Sequence, residues 1–341
     1  MLRAVTAVLM LMGGGTALAS DPLHLPKQSG WSGYLGAGAT YFDLSSNFIT
    51  GNRFVDFDNQ QSRGLESSPA SDSQVAPEIL VDLRYTFAEH QTQLFFGNLV
   101  QDMVRLDFSE QLGVRRQFGS WGIGSLAYLF SAVPNEVWQD PFQVDSPRSK
   151  TDRDSQGFRL GWDNIADSTI GVHYSYRRID VDQELSGAEL TLMGRLTPQQ
   201  ASQLQRDGNR HRLDLFAHWK LSQNQHLTPA LLYIERDSDG DANGGQTKGV
   251  QLTYVYRGDR ISGTLSGYFG ERDYDEANPI YEREADADEY GISGNLFVHR
   301  LFDLNHWDLR LGVMYFDSRA KVDFYDSDLL GANVSLLYRF H

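Results

Sequence analysis

His173 and Ser175 lie two residues apart in a run that alternates polar and apolar side chains. On a strand that spacing puts both on one face, where an imidazole could take the hydroxyl proton and make the serine a nucleophile. The same face carries more charge than one catalytic pair needs. Arg159, Asp163, His173, Arg177, Arg212, Asp214, His218 and Lys220 occupy one parity of three successive runs, and Asp82 and Arg84 sit in an earlier one. Opposite them in the alternation stand Phe158, Leu160, Trp162, Leu213, Leu215 and Trp219. A charged wall of this kind could select or bind a polar solute. The plainer reading is the polar interior that any wide barrel must have, with charges paired across strands. The basic excess of this wall, set against Asp82, Asp107 and Asp308 elsewhere, predicts a transverse field across the pore.

Asp237, Asp239, Asp241 and Asn243 alternate through a glycine-containing segment. Such oxygens can wrap a hard cation, and the spacing resembles part of a calcium loop. The twelfth position, where an EF-hand supplies its bidentate glutamate, is Lys248. A solvated hairpin loop rich in turn formers is therefore the preferred reading. Residues 271–290 carry nine carboxylates. They could form an acidic rim that attracts cations or bridges lipopolysaccharide phosphates through divalent ions, or simply a solvated loop. No phosphate loop, metalloprotease motif or dinucleotide fingerprint occurs, and no cofactor is expected.

The elements that must hold these residues alternate at period two, in runs near the ten residues or so that a tilted strand needs to cross a membrane. They fall at 31–44, 76–87, 91–100, 103–117, 121–133, 155–165, 168–181, 209–221, 226–237, 247–257, 260–271, 286–300, 306–317 and 327–340. Fourteen is an even number, which puts both termini on the same side; twelve is the alternative count. Tight joints alternate with long polar stretches (45–75, 134–154, 182–208, 238–247, 272–286, 318–326), as short turns and long external loops do in outer-membrane barrels. Tyr85, Phe87, Trp162, Trp219, Trp307 and Tyr338 cluster beside the tight joints, where an interfacial girdle belongs. Glu110 falls on the otherwise apolar parity of its run and Pro229 lies inside another, so each predicts a bulge or shifted boundary. Thr197 followed by Pro198 predicts a short helix in the loop 182–208, placed on the rim or in the mouth.

Composition narrows the rest. The 341 residues include 30 Lys+Arg and 45 Asp+Glu, for a net charge of −15, which disfavours nucleic acid as a partner. There is no cysteine, hence no disulfide framework and no thiolate metal site. Mean hydropathy is −0.42, and no apolar run approaches a membrane-spanning helix. Residues 1–19 read as a cleaved signal peptide: Arg3, an apolar stretch Ala4–Met12, and Ala17-Leu18-Ala19 as the cleavage site. Residues 20–341 are expected to form the barrel.

The final run, with Val334, Leu336, Tyr338 and Phe340 on one face, resembles the C-terminal assembly signal of outer-membrane barrels, departing only in His341 after the closing aromatic. The whole mature chain is similar to uncharacterised porin-like families of marine bacteria. The resemblance implies an outer-membrane location, lipid and lipopolysaccharide neighbours, and handling by the barrel-assembly machinery. The His173–Ser175 spacing resembles the His-x-Ser of outer-membrane phospholipases and lipid A deacylases, though without their surroundings. The reading is thus all-β: a transmembrane antiparallel up-and-down barrel, most simply a porin-like channel for passive passage of small hydrophilic solutes. A non-conducting structural or adhesive barrel, a lipid hydrolase using His173 and Ser175, and a soluble periplasmic β-protein are the alternatives.

Overall fold

Period-two alternation lets a strand turn its polar side chains to a lumen and its apolar ones outward, provided the sheet closes on itself. In the computed structural model the last strand pairs with the first and closes the sheet. Residues 24–57, 62–102, 107–144 and 146–340 are described. The expected signal peptide and His341 lie outside them. Fourteen long strands run antiparallel: β1 Gly30–Ser45, β2 Ser71–Phe87, β3 Thr92–Asp102, β4 Asp107–Gln117, β5 Ile123–Phe130, β6 Lys150–Asp163 and β7 Ile170–Val181 form the first half. The second half is β8 Gly208–Ala217, extended by Trp219–Lys220, then β9 Gln225–Ser238, β10 Gly245–Arg257, β11 Ile261–Tyr274, β12 Ala287–Val298, β13 Trp307–Ala320 and β14 Ser327–Phe340. β14 pairs with β1 from Gly33↔Phe340 to Ser45↔Asp328, and β1 pairs with β2 on its other side. The seam therefore leaves no free edge between first and last strand.

Glycine makes the seam possible on its inner face. A Cβ on Gly38 would stand 2.1 Å from the Val334 carbonyl oxygen and 2.5 Å from Ser335 Oγ. With that space clear, Glu78 of β2 reaches across β1 to Ser335 and to Arg310 of β13, 3.0 Å away. Arg310 also donates to Asn295 Oδ1 at 3.0 Å, so four strands besides β1 share one buried link.

The outer face is apolar. Leu35, Leu160, Leu215, Leu252, Leu265, Val313 and Leu336 are exposed on it. Aromatics border it near the short turns, where Trp31 packs on Tyr85 (5.2 Å), Phe118 on Trp162 (5.5 Å) and Trp307 on Tyr338 (5.3 Å). On β13 the exposed rings of Trp307 and Tyr315 bracket an apolar span of about 26 Å along the strand, at about 3.3 Å per residue. Tilted by about 40°, that span rises about 20 Å, most of the apolar band of an outer-membrane barrel, about 25 Å tall.

The soft points of the sequence resolve differently. Of the run expected at 103–117, β4 is described from Asp107, and the β3–β4 register shifts between Val100 and Asp102. Glu110 does not face lipid: it is buried and accepts the Ala132 amide at 2.7 Å where the chain leaves β5. Pro229 pairs with Leu252 of β10, but on the β8 side the ladder is broken between Phe216↔Ala230 and Trp219↔Leu227. Its missing N–H thus falls at an interruption.

The long connections carry structure that the sequence reading left out. Ile49–Asn52 and Val55–Asp56 form a small hairpin, and Ile49–Asn52 pairs with a short strand Asn135–Trp138. Ile49, Val55 and Phe57 are buried against Phe42, Leu44, Ala76, Met314, Phe316 and Leu329, strand residues of the inner face. The first loop thus folds into the barrel. Helix α1 is Ala188–Leu192 and α2 is Pro198–Ser202; α2 carries the expected Thr197 cap, closed into a box with Gln200. Both helices belong to a loop layer over the mouth, in which Leu190, Leu196 and Leu204 are buried with Phe142 and Phe324.

Candidate functional site

The inner wall divides into two levels. Near the short turns, charges are matched at close range. Asp82 and Arg84, two apart on β2, form a bidentate pair at 2.7 and 2.8 Å. Arg212 and Asp214 do the same on β8, at 2.8 Å. His173 Nε2 lies 3.0 Å from Asp163 Oδ1, and Arg159 donates to His173 Nδ1 at 2.7 Å. Because arginine can only donate, Nδ1 accepts and the imidazole carries its proton on Nε2, toward Asp163. Asp308 binds His299 (2.9 Å) and Arg339 (2.7 Å). His218 contacts Thr228 Oγ1 at 3.0 Å, and Arg177 binds Ser155 Oγ. Lys220 is exposed at the short-turn end. The side chain of Asp107 lies outside the description.

This pairing alters the expected transverse field. The charges of Arg159, Asp163, His173, Arg212 and Asp214 are paired within the wall. The cationic excess stands one level higher, in residues the sequence analysis did not single out. Beneath the loop layer a cavity of about 160 Å³ is lined by Arg153, Arg206, Arg210, Arg236 and Arg272 and by no carboxylate. The ladders explain how they meet. Arg177 of β7 is the register partner of Arg210 of β8, and Arg210 is the partner of Arg236 of β9. Arg236 donates to Thr247 Oγ1 at 2.7 Å, and Thr247 is the partner of Arg272 of β11. Parity alone could have found part of this row, since Arg210 shares a face with Arg212.

The cavity roof is the loop layer. Phe142 stacks on Phe324 at 5.4 Å, with Phe48 edge-on to both. Asp140 ties two loops together, accepting the amides of Phe142 (3.0 Å), Gly187 (2.9 Å) and Glu189 (3.0 Å). Burial raises its pKa, against the lowering effect of those amides and of Arg206. Arg148 donates to the carbonyls of Asn47 and Pro141 and lies 4.5 Å over the Trp138 ring; burial lowers its pKa to about 10.

Both His173 ring nitrogens are engaged by Asp163 and Arg159, so the imidazole is committed to the charge network and not to Ser175. In the segment 237–244, Asp239 pairs with Arg178 at 3.2 Å and Asn243 donates to the Leu204 carbonyl at 2.7 Å. Among the described residues no three acidic or histidine side chains converge to hold a metal ion. The acidic stretch is partly spent in pairs, with Glu289 on Arg272 in the interior and Asp286 on Lys321 at the surface, 2.8 Å. Val334, Leu336 and Tyr338 stand outward on β14.

An apolar outer band, a charged lumen and a folded loop layer define a closed fourteen-stranded barrel of the membrane-spanning type. The chain belongs to the family described as "Protein of unknown function (DUF2860)", which it matches over residues 30–339. No curated protein matches it. Similar solved structures include a Pseudomonas aeruginosa FadL homologue (12% identity, 90% of each chain, TM-score 0.48). An outer membrane channel from Pseudomonas putida F1 has 10% identity over 94% of this chain and 98% of its own, with a TM-score of 0.46. The CymD monoaromatic hydrocarbon channel has 9% identity over 90% and 89%, with a TM-score of 0.44.

Proposed function

We propose that this protein is an outer-membrane channel through which small polar solutes diffuse, down their gradient, along the charged lumen and past the loop layer. The supporting observation is the inner wall, which carries ionised side chains from Asp308 near the short turns up to Arg206 beneath the loops. A lumen lined by ionised side chains offers polar solutes a path that an apolar interior would not. Val334, Leu336, Tyr338 and Phe340 would be the face read by the assembly machinery, and the apolar band the face in contact with lipid. Current steps in a planar bilayer on adding refolded protein are the expected result. A silent bilayer over repeated insertions of folded protein rejects the channel.

The buried Phe142–Phe324 contact favours a second reading, a non-conducting barrel whose loops form a permanent cap. Under it the bilayer stays silent with the intact protein, and current appears only when the loop contacts are cut.

A further inference from the structure

We propose that the cavity beneath the loop layer is a binding site for small organic anions, its arginines holding the acidic group and its apolar wall the body. The cavity measures about 160 Å³, close to the roughly 150 Å³ of an engineered cavity that takes up benzene. Five guanidinium groups line it and no carboxylate does, in a chain whose net charge is −15. Two of the five are held from behind by acids outside the lining: Arg206 by Glu184 at 2.7 Å, and Arg272 by Glu289.

The ladders give independent support. Arg177, Arg210 and Arg236 are successive register partners on three neighbouring strands. The register thus brings Arg210 and Arg236, both of the cavity lining, to one level of the inner face. A carboxylate matches the planar fork of arginine in two-point hydrogen bonds. The rest of the lining sets the kind of anion. Phe48, Ile49, Val137, Ile179 and Tyr325 present an apolar surface next to the arginines. A monocyclic or short-chain carboxylate satisfies both halves, whereas inorganic phosphate satisfies only one.

The site deepens the channel reading and rests on it for its purpose, but binding and conduction are measured separately. Equilibrium binding to refolded protein in neutral detergent uses benzoate, its uncharged analogue benzamide, and inorganic phosphate. Benzoate is expected to bind at least tenfold more tightly than either. Arg210→Gln and Arg236→Gln should each weaken benzoate at least tenfold, while Lys248→Gln, on the outer face, should leave it unchanged. Equal affinity for benzoate and benzamide overturns the site, as does phosphate binding more tightly than benzoate, or benzoate binding unmoved in both arginine variants. The ligand comparison uses the unaltered protein and decides the matter alone if a variant does not fold. Benzoate binding in a barrel that passes no current keeps the site and removes the channel. Current in a protein that fails to tell benzoate from benzamide keeps the channel and removes the site.

Discussion

Arg210 stands directly opposite Arg236 in the β8–β9 ladder and directly opposite Arg177 in the β7–β8 ladder. All three are buried. Like charges directly opposite one another on one face are destabilising. Arg210→Met keeps the length of the side chain and removes both repulsions at once. Its expected effect is a higher temperature for the gel-mobility shift that marks loss of the folded barrel, together with weaker anion binding. A lower transition temperature would mean that hydrogen bonds made by Arg210 outweigh the repulsion.

Phe324 and Phe142 are the packing centre of the loop layer, at 0% and 1% exposure. Phe324→Ala removes a ring that touches Phe48, Phe142, Tyr281 and Tyr325. Truncating a buried phenylalanine costs about 3–5 kcal/mol, and here the loss falls on the loops and not on the strand ladders. The variant should keep its heat-shifted folded band, become sensitive to protease within 131–149 and 182–207, and conduct more per insertion than the parent. Unchanged conductance with cleaved loops would show that the loop layer does not restrict the path.

The strands were legible from sequence because burial on one face enforces a local period of two, which needs no knowledge of partners. All fourteen runs appear in the structure, with ends that move by a few residues. The loop layer was not legible for the converse reason. Phe48, Phe54, Val55 and Phe57 are scattered apolar residues in the stretch 45–75, and Phe142 and Val144 are scattered likewise in 134–154. Without periodicity their burial depends on segments far away in the chain, and the stretches read as polar. The same limit applies to the site. Parity placed Arg159 and Arg212 on the inner face, but which charges neutralise each other is set by register. Arg153 and Arg272 lay just beyond the expected strand ends.

Three carboxyls in the loop layer, Glu136 among them, titrate higher in the folded protein than in the unfolded chain. Burial raises Asp140, which faces Arg206. Burial also raises Asp207, with Glu184, Asp180 and Asp239 adding to the effect. The folded loops therefore hold protons that the unfolded chain has already released. The stabilisation is complete below the unfolded values of about 4 and is lost as pH rises through the raised values. Asp286 runs the other way: burial raises it but is outweighed by Lys321 and the Tyr274 amide, so its pKa is lowered. Its contribution is present above the unfolded value and is lost only as pH falls through the lowered one. The rate of loop proteolysis should accordingly increase as pH rises from about 4 toward neutrality. Asp140→Asn combined with Asp207→Asn should flatten that rise. A profile that stays steep in the double variant would assign it to other groups.

Val81 donates its amide to Asn98 Oδ1 at 2.8 Å, on the β3 side of β2. The β2–β3 ladder has ended just below, at Asp82↔Gly97, while pairing of β2 with β1 continues to Ser71. Along a strand the N–H groups alternate between the two neighbours, so those of Ile79 and Val75 point the same way as that of Val81. Pro77 shares their side and has no N–H to offer, which is how proline is tolerated in a strand that keeps unbroken register on its other side. Those of Ala76 and Glu78 point to β1 and belong to the ladder that closes the barrel. Hydrogen exchange should therefore be fast at Val75 and Ile79 and slow at Ala76 and Glu78. Ile79→Pro should fold and show the heat-shifted band, because the amide it removes lies on the side where the ladder has stopped. Ala76→Pro removes an amide from the seam beside Thr40 and should abolish that band. If Ile79→Pro fails to fold, or the Ile79 amide exchanges as slowly as that of Glu78, then the upper half of β2 has a partner on this side and the wall is sealed there as well.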